Sequence, residues 1–236
     1  MPCPLNKAPK SGAKVKHVVT IDGPTGSGKS TVSRLLAKKL NCPYLDTGAM
    51  YRVAALALKR AGVTLSDKPA VAKACDNLDI RFVPEGDANR VYMGDVDVSK
   101  AIREPQMDLF ASDVSKLDVV RKAMTSLQRK IGSQGPLVAE GRDMGTVVFP
   151  EAQHKFYLDA SLEVRVERRF QERKNRGESI TRDEVREDLI KRDQQDMNRS
   201  LAPLKPAVDA VIIDTTCLSI DQVIEQILEK IEPRRD

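Results

Sequence analysis

Gly23-Pro24-Thr25-Gly26-Ser27-Gly28-Lys29-Ser30 satisfies G-x-x-x-x-G-K-[ST] at every fixed position. Its flanks decide how the stretch is read. His17-Val18-Val19-Thr20-Ile21-Asp22 is a β-branched apolar run of the buried-strand type. Thr31 to Leu40 places Val32, Leu35, Leu36 and Leu40 at helical spacing. A strand, a glycine loop and a helix in that order aim backbone N–H groups and a positive helix end at one cluster of phosphate oxygens. The glycines allow close approach of the backbone, where a Cβ would intrude. Gly23, Pro24, Thr25, Gly26, Ser27, Gly28, Lys29, Ser30 and Thr31 are therefore candidate ATP contacts, with Lys29 directed to the β- and γ-phosphates and the Ser30 hydroxyl to Mg2+.

The 236 residues suffice for one large domain, or a core with small insertions, around a sizeable hydrophobic centre. The balance of 39 Lys+Arg against 34 Asp+Glu, net +5, suits anionic ligands but is too mild and dispersed for a nucleic-acid surface. Cys3, Cys42, Cys75 and Cys217 form no C-x-x-C pair and read as reduced thiols of a cytoplasmic protein. Two histidines leave little room for His-based catalysis or a His-ligated metal. No apolar run approaches the ~18 residues of a membrane span. Met1 to Lys16, with three prolines and four lysines but no apolar core, reads as a disordered basic tail and not as a signal peptide.

Beyond the first helix, Cys42-Pro43-Tyr44-Leu45-Asp46 is a second strand, followed by a helix from Thr47 to about Gly62. Arg52 falls near the positive end of that helix, where a cation needs a nearby anion, and it follows Asp46-Thr47-Gly48 at a strand end; a phosphate contact is the expectation. Residues 65–100 switch to period-two alternation: Leu78, Ile80 and Phe82, a turn at Glu85-Gly86-Asp87-Ala88-Asn89, Val91 and Met93, a turn at Gly94-Asp95, then Val96 and Val98. This is antiparallel hairpin structure inserted into an α/β chain. Gln106 to Gly132 is helical, divided near Lys116-Leu117 with Asp118 as the second N-cap.

Pro136-Leu137-Val138-Ala139-Glu140 is a third core strand, and it ends in Gly141-Arg142-Asp143-Met144-Gly145-Thr146, an Arg-Asp pair between glycines at a strand end. Lys155 to Asp159 and Ala210 to Asp214 are the fourth and fifth. The helix after the fourth strand carries Arg165, Arg168, Arg169, Arg173 and Arg176, either a solvated face or the base of a lid closing over phosphates. Thr181-Arg182-Asp183-Glu184 is a capping box. On the helix it opens, Arg192, Asp196 and Arg199 share a face, either as an ion-pair ladder or as a site for a phosphorylated, hydroxylated ligand.

Five strands alternating with helices make a mostly parallel α/β sheet. The sequence shows no recognisable Ser/His or Cys/His nucleophile pair. Phosphoryl transfer needs none, because its catalysis is positioning and charge stabilisation. An acceptor that is itself a phosphate brings an anionic oxygen, and arginines hold the two anions together. The residues thus point to a kinase of a small phosphorylated acceptor, against which stand a kinase of the same fold with a different acceptor and an NTP-dependent RNA-associated regulator. The absence of Trp and the few Phe and Tyr argue against a base-stacking surface.

Four stretches together resemble the bacterial cytidylate kinases: Ile21-Asp22-Gly23-Pro24 leading to Gly28-Lys29-Ser30; Leu45-Asp46-Thr47-Gly48-Ala49-Met50-Tyr51-Arg52; Gly141-Arg142-Asp143-Met144-Gly145-Thr146-Val147-Val148-Phe149-Pro150; and Arg192-Asp193 to Asn198-Arg199 with Ala202-Pro203-Leu204. The third is far more discriminating than the phosphate loop. The resemblance runs from about residue 17 to about 231. It implies a P-loop NTPase, adenylate-kinase-like α/β fold, with a five-stranded parallel sheet flanked by helices, an inserted antiparallel nucleoside-monophosphate subdomain and a short lid. The implied boundaries are a core of 17–65, 133–168 and 183–236, an insert of about 66–132 and a lid of about 169–182.

The implied reaction is MgATP-dependent conversion of CMP and dCMP to the diphosphates, with UMP or another nucleoside monophosphate as the alternative acceptor. By position, Thr47 and Asp143 correspond to cytosine contacts, and the family's common serine at Thr47 keeps the hydroxyl. Arg52 and Arg142 correspond to holders of the acceptor phosphate. Ser112, Arg121, Arg192, Asp196 and Arg199 align with further CMP-site residues, Asp196 with a ribose-hydroxyl ligand. Arg168, Arg169 and Arg173 are candidates for the transferred phosphate. The implied partners are ATP and CMP or dCMP alone, without nucleic acid or membrane, on a monomer that closes over its substrates to exclude water.

Overall fold

Strand β1 (Val18–Asp22), buried at every residue, leads through the glycine loop to α1 (Lys29–Lys39) and β2 (Tyr44–Asp46) in the computed structural model, which describes residues 17–76, 78–85 and 88–231. The chain continues through α2 (Thr47–Arg60), α3 (Lys68–Asp76), β3 (Ile80–Glu85), β4 (Ala88–Met93), β5 (Val96–Asp97), α4 (Pro105–Val114) and α5 (Asp118–Gly132). It closes with β6 (Leu137–Gly141), β7 (His154–Asp159), α6 (Leu162–Asn175), α7 (Arg182–Asn198), β8 (Val211–Asp214) and α8 (Ile220–Ile231). The expected tail, Gly86-Asp87 of the expected turn and residues 232–236 lie outside the described residues.

Two compact units result, one of the residues up to Tyr44 with those from Gly135 onward, the other Leu45–Gln134. The expected insert of 66–132 falls inside the second, which also contains α2. The main sheet has the order β2-β6-β1-β7-β8, with β1 parallel to β6 and β7, and β7 parallel to β8. Val19 and Ile21 of β1 pack with Leu36 of α1, Phe156 and Leu158 of β7, and Ile224 of α8 in one apolar cluster. Emptying such a position, as in Leu36→Ala, costs about 2–5 kcal/mol. A smaller cluster joins Val166 and Phe170 of α6 to Val185 and Leu189 of α7.

The second unit holds the antiparallel sheet β3-β4-β5, in which Phe82 pairs with Val91 and Ile80 with Met93. The hairpins follow the alternation read from the sequence. Helix α3 does not, because only Val71 and Cys75 are buried along it and so short a stripe gives little period. The helical region 106–132 divides as expected, but Leu117 is the N-cap and Asp118 the first helical residue. There its carboxylate complements the helix dipole instead of capping an amide. Helix α1 begins at Lys29, two residues before the expected Thr31, so lysine and serine of the loop belong to the helix's first turn.

Candidate active site

The phosphate loop keeps its shape through three glycines with positive φ, Gly23, Gly26 and Gly28. A Cβ at Gly23 would stand 2.1 Å from the Leu158 carbonyl oxygen, and one at Gly26 2.9 Å from that of Arg165, so neither position accepts a side chain. Gly28 caps α1, whose amides then face the loop's concavity. The Lys29 ammonium donates to the Pro24 carbonyl at 2.9 Å. Burial pushes its pKa down to about 7, and the Arg142 charge acts in the same direction. The Ser30 hydroxyl donates to Glu140 Oε2 at 2.9 Å, and the Tyr44 phenol to Glu140 Oε1 at 2.5 Å.

A cleft of about 380 Å³ opens over this loop. Arg168, Arg169 and Thr215 line it with the loop, and Leu218, Ile220 and Val223 form an apolar wall. Arg168 donates to the Thr215 carbonyl at 2.7 Å and to its hydroxyl at 3.0 Å, while Arg169 pairs with Glu172 at 2.7 Å. Arg173 is placed differently from these two. It bridges Glu178 at 2.7 Å and Asp188 at 2.8 Å, bracing the end of α6 against α7.

One strand over from β1, β6 delivers Gly141-Arg142-Asp143 at its carboxyl end. The chain then makes a π-type turn over Met144–Val148, with the Val148 and Phe149 amides donating to the Asp143 and Met144 carbonyls. Asp22, at the end of β1, anchors this turn by accepting from the Met144 amide at 2.9 Å and the Gly145 amide at 2.8 Å. Gly145 sits close enough that a Cβ would meet Thr20 Oγ1 at 3.1 Å. Burial pushes the Asp22 carboxyl up to about 7, although the two amides and Arg142 oppose the shift.

Arg142 is the junction. Its Nε donates to Asp196 Oδ2 at 2.8 Å and its Nη2 to Thr25 Oγ1 at 2.7 Å. Arg199 lies 3.8 Å from both Asp143 and Asp196. Burial acts to raise the Asp196 pKa, but the charges of Arg142, Arg192 and Arg199 outweigh it and hold the carboxyl below its ordinary range. Beside this group Arg165 donates to Asp193 Oδ2 at 2.6 Å and to the Thr25 carbonyl at 3.3 Å. After α7, the buried Leu204 turns its amide back onto the Asp196 carbonyl at 2.8 Å.

The first unit therefore brings together Lys29, Ser30, Thr25, Arg142, Asp143, Arg192, Asp196 and Arg199 of the residues expected from sequence. Thr47, Arg52, Ser112 and Arg121 belong to the second unit. There Asp46 caps α2 through the Ala49 amide at 2.9 Å, with Thr47 buried as the first helical residue. Arg52, the expected phosphate contact, pairs with Asp108 of its own unit at 2.8 Å. Ser112 lies on α4, and Arg121 stacks over the Tyr51 ring at 5.6 Å. Sequence reading missed Asp22, Glu140, Arg165, Asp193 and Thr215. The available signal was positional, since Asp22 and Glu140 each stand at or next to the carboxyl end of a strand flanking the loop.

The family model described as cytidylate kinase matches residues 19–233. A cytidylate kinase of Geobacter sp. (strain M21) is 46% identical over 217 residues, covering 92% of this chain and 93% of its own. One of Vibrio cholerae serotype O1 is also 46% identical over 217 residues, covering 92% of this chain and 96% of its own.

Proposed function

Because the chain belongs to the cytidylate kinase family, we propose that it transfers the γ-phosphoryl group of ATP to CMP and dCMP, giving ADP and CDP or dCDP. The observation that carries this reading is the direct bond between the phosphate loop and the strand-end arginine, Arg142 to Thr25 at 2.7 Å. It supports the reading because a guanidinium suited to an acceptor phosphate would then act beside a loop suited to the donor. An oxygen of the acceptor phosphate attacks the γ-phosphorus, and the bond from that phosphorus to the β,γ-bridging oxygen breaks, leaving the electron pair on ADP. Nothing in this step requires a protein nucleophile.

Each residue then has a task. The loop amides between Gly23 and Thr31 and the Lys29 ammonium hold the donor phosphates, whose negative charge opposes the burial that pushes the Lys29 pKa down. The hard oxygens of Ser30, in the cleft lining, and of the buried Glu140, 2.9 Å apart, suit Mg2+, which would supply charge neutralisation on the donor phosphates when bound. Arg142 holds the acceptor phosphate, and of the three candidates for the transferred group, Arg168, Arg169 and Arg173, the first two line the cleft over the loop while Arg173 braces α6 against α7. Asp143 accepts from the cytosine amino group. Asp196, kept ionised by its arginines, accepts from ribose hydroxyls, with Arg192 and Arg199 beside it. Thr47, Arg52, Ser112 and Arg121 contribute the remaining acceptor contacts.

Residues 66–132 serve as the acceptor-nucleotide insert and 169–182 as a lid, on a cytoplasmic monomer. Among the described residues no helix is long and apolar enough to cross a membrane. The test is a set of initial rates with MgATP against CMP, dCMP, UMP, AMP, GMP and dTMP. CMP and dCMP are expected to lead. Folded protein that makes no CDP from CMP would sink the reading.

A further inference from the structure

Thr25 occupies a position where the phosphate-loop pattern leaves the residue open. In this fold it is the meeting point of two arginine–aspartate ladders. Its hydroxyl oxygen accepts from Arg142 Nη2 at 2.7 Å, and Arg142 goes on to Asp196 at 2.8 Å. Its carbonyl accepts from Arg165 Nη1 at 3.3 Å, and the same nitrogen reaches Asp193 at 2.6 Å. Asp193 and Asp196 are one turn apart on α7, so both ladders run from a single loop residue to a single stretch of helix. Arg165, Asp193 and Asp196 are buried, and the next residue, Gly26, lies flat against the Arg165 backbone. Neither ladder can lose its Thr25 end without leaving a desolvated guanidinium short of an acceptor.

We infer that Thr25 is a positioning residue that couples the donor and acceptor sites, an inference that rests on the proposed reaction. Donor phosphate fixes the loop, the loop fixes the Thr25 hydroxyl, and the hydroxyl fixes the guanidinium that receives the acceptor phosphate. Binding of either nucleotide then pre-orders the other's site, and the gain is reciprocal. The hydroxyl matters because it is the only part of the side chain that Arg142 addresses; the methyl group contributes no acceptor.

The experiment compares full-length wild type with Thr25→Val, which keeps the side chain's shape and removes the oxygen. The readout is the ratio of the CMP dissociation constants measured by calorimetry without and with a non-hydrolysable MgATP analogue. In wild type the analogue tightens CMP, and in Thr25→Val that tightening falls by about tenfold or vanishes, the scale of one hydrogen bond to a charged group. Thr25→Ser, which retains the hydroxyl, restores the ratio and shows that fold and loop survive substitution. Equal ratios in wild type and Thr25→Val would overturn the inference. So would a Thr25→Val protein that loses analogue affinity alone, because Thr25 would then serve only the donor. Wild type that binds the analogue but neither binds nor phosphorylates CMP would instead overturn the acceptor assignment, and the inference with it.

Discussion

Arginine and carboxylate build two regions of the same unit, and burial separates them. Along α6 and α7, Arg182 meets Glu167 at 2.7 Å and Arg186 meets Glu163 at 3.2 Å, with side chains 41–69% exposed. Beside the phosphate loop, Arg142 meets Asp196 at 2.8 Å and Arg165 meets Asp193 at 2.6 Å, with side chains 10–16% exposed. The distances barely differ. The surroundings do: exposed pairs are worth about 0–1 kcal/mol, whereas stripping one partner from a buried pair costs about 3–5 kcal/mol. Arginine density alone therefore does not mark a site. What marks it is a guanidinium kept out of water, backed by a carboxylate and still directed at the loop.

The sharpest way to break this contrast is Arg142→Met. It removes the acceptor-phosphate ligand and leaves Asp196 buried with less compensation, so kcat/KM for CMP is expected to fall by about a hundredfold to a thousandfold or more. Steady-state kinetics with saturating MgATP measures this, and a loss below about tenfold would remove Arg142 from the acceptor-phosphate site. Next in size is Asp143→Asn. An amide nitrogen facing the cytosine amino group weakens CMP and is compatible with the uracil carbonyl, so the CMP/UMP preference narrows by about tenfold. An unchanged preference would take Asp143 out of base reading.

Asp22 tests whether buried charge also governs stability. With its folded pKa raised to about 7, against 3.8 ordinarily, the folded protein holds a proton that the unfolded chain has released. Its stabilising contribution is complete below about pH 4 and is lost as pH rises through about 7. Asp22→Asn removes that dependence, so its unfolding free energy falls less than that of wild type between about pH 5 and pH 8, by up to about 1.4 kcal/mol per pH unit. Urea melts across that range decide it, and identical slopes would contradict the assignment. The smallest effect is expected from Arg186→Gln on the outer face, with activity unchanged and stability within about 0.5 kcal/mol. A larger change would erase the distinction between the two regions.

The sequence made the donor half legible because its physics is local. The loop, its flanking strand and helix, the hairpin alternation and the Thr181–Glu184 capping box all lie within short windows. The anchoring of the acceptor half is not local. The π-type turn after β6 depends on Asp22, 122 and 123 residues away in sequence from the amides it accepts, and Ser30 meets Glu140 across 110 residues. Spacing put Arg192, Asp196 and Arg199 on one face but left ladder and ligand site equally open. In the fold, Asp196 is a rung between Arg142 and Arg199, and the ligand role is the one proposed for it above. The run from Arg165 to Arg176 had no internal mark to show that Arg165 turns inward while Arg173 braces α7.

The bond from the Leu204 amide to the Asp196 carbonyl has a consequence for solvent exchange. The stretch after α7 is irregular up to β8. Leu204 is tied to the last turn of the helix and can exchange only when that turn opens. Its deuterium uptake thus times the loosening of the segment that carries Asp196, a built-in clock for the acceptor side that needs no label and no substrate.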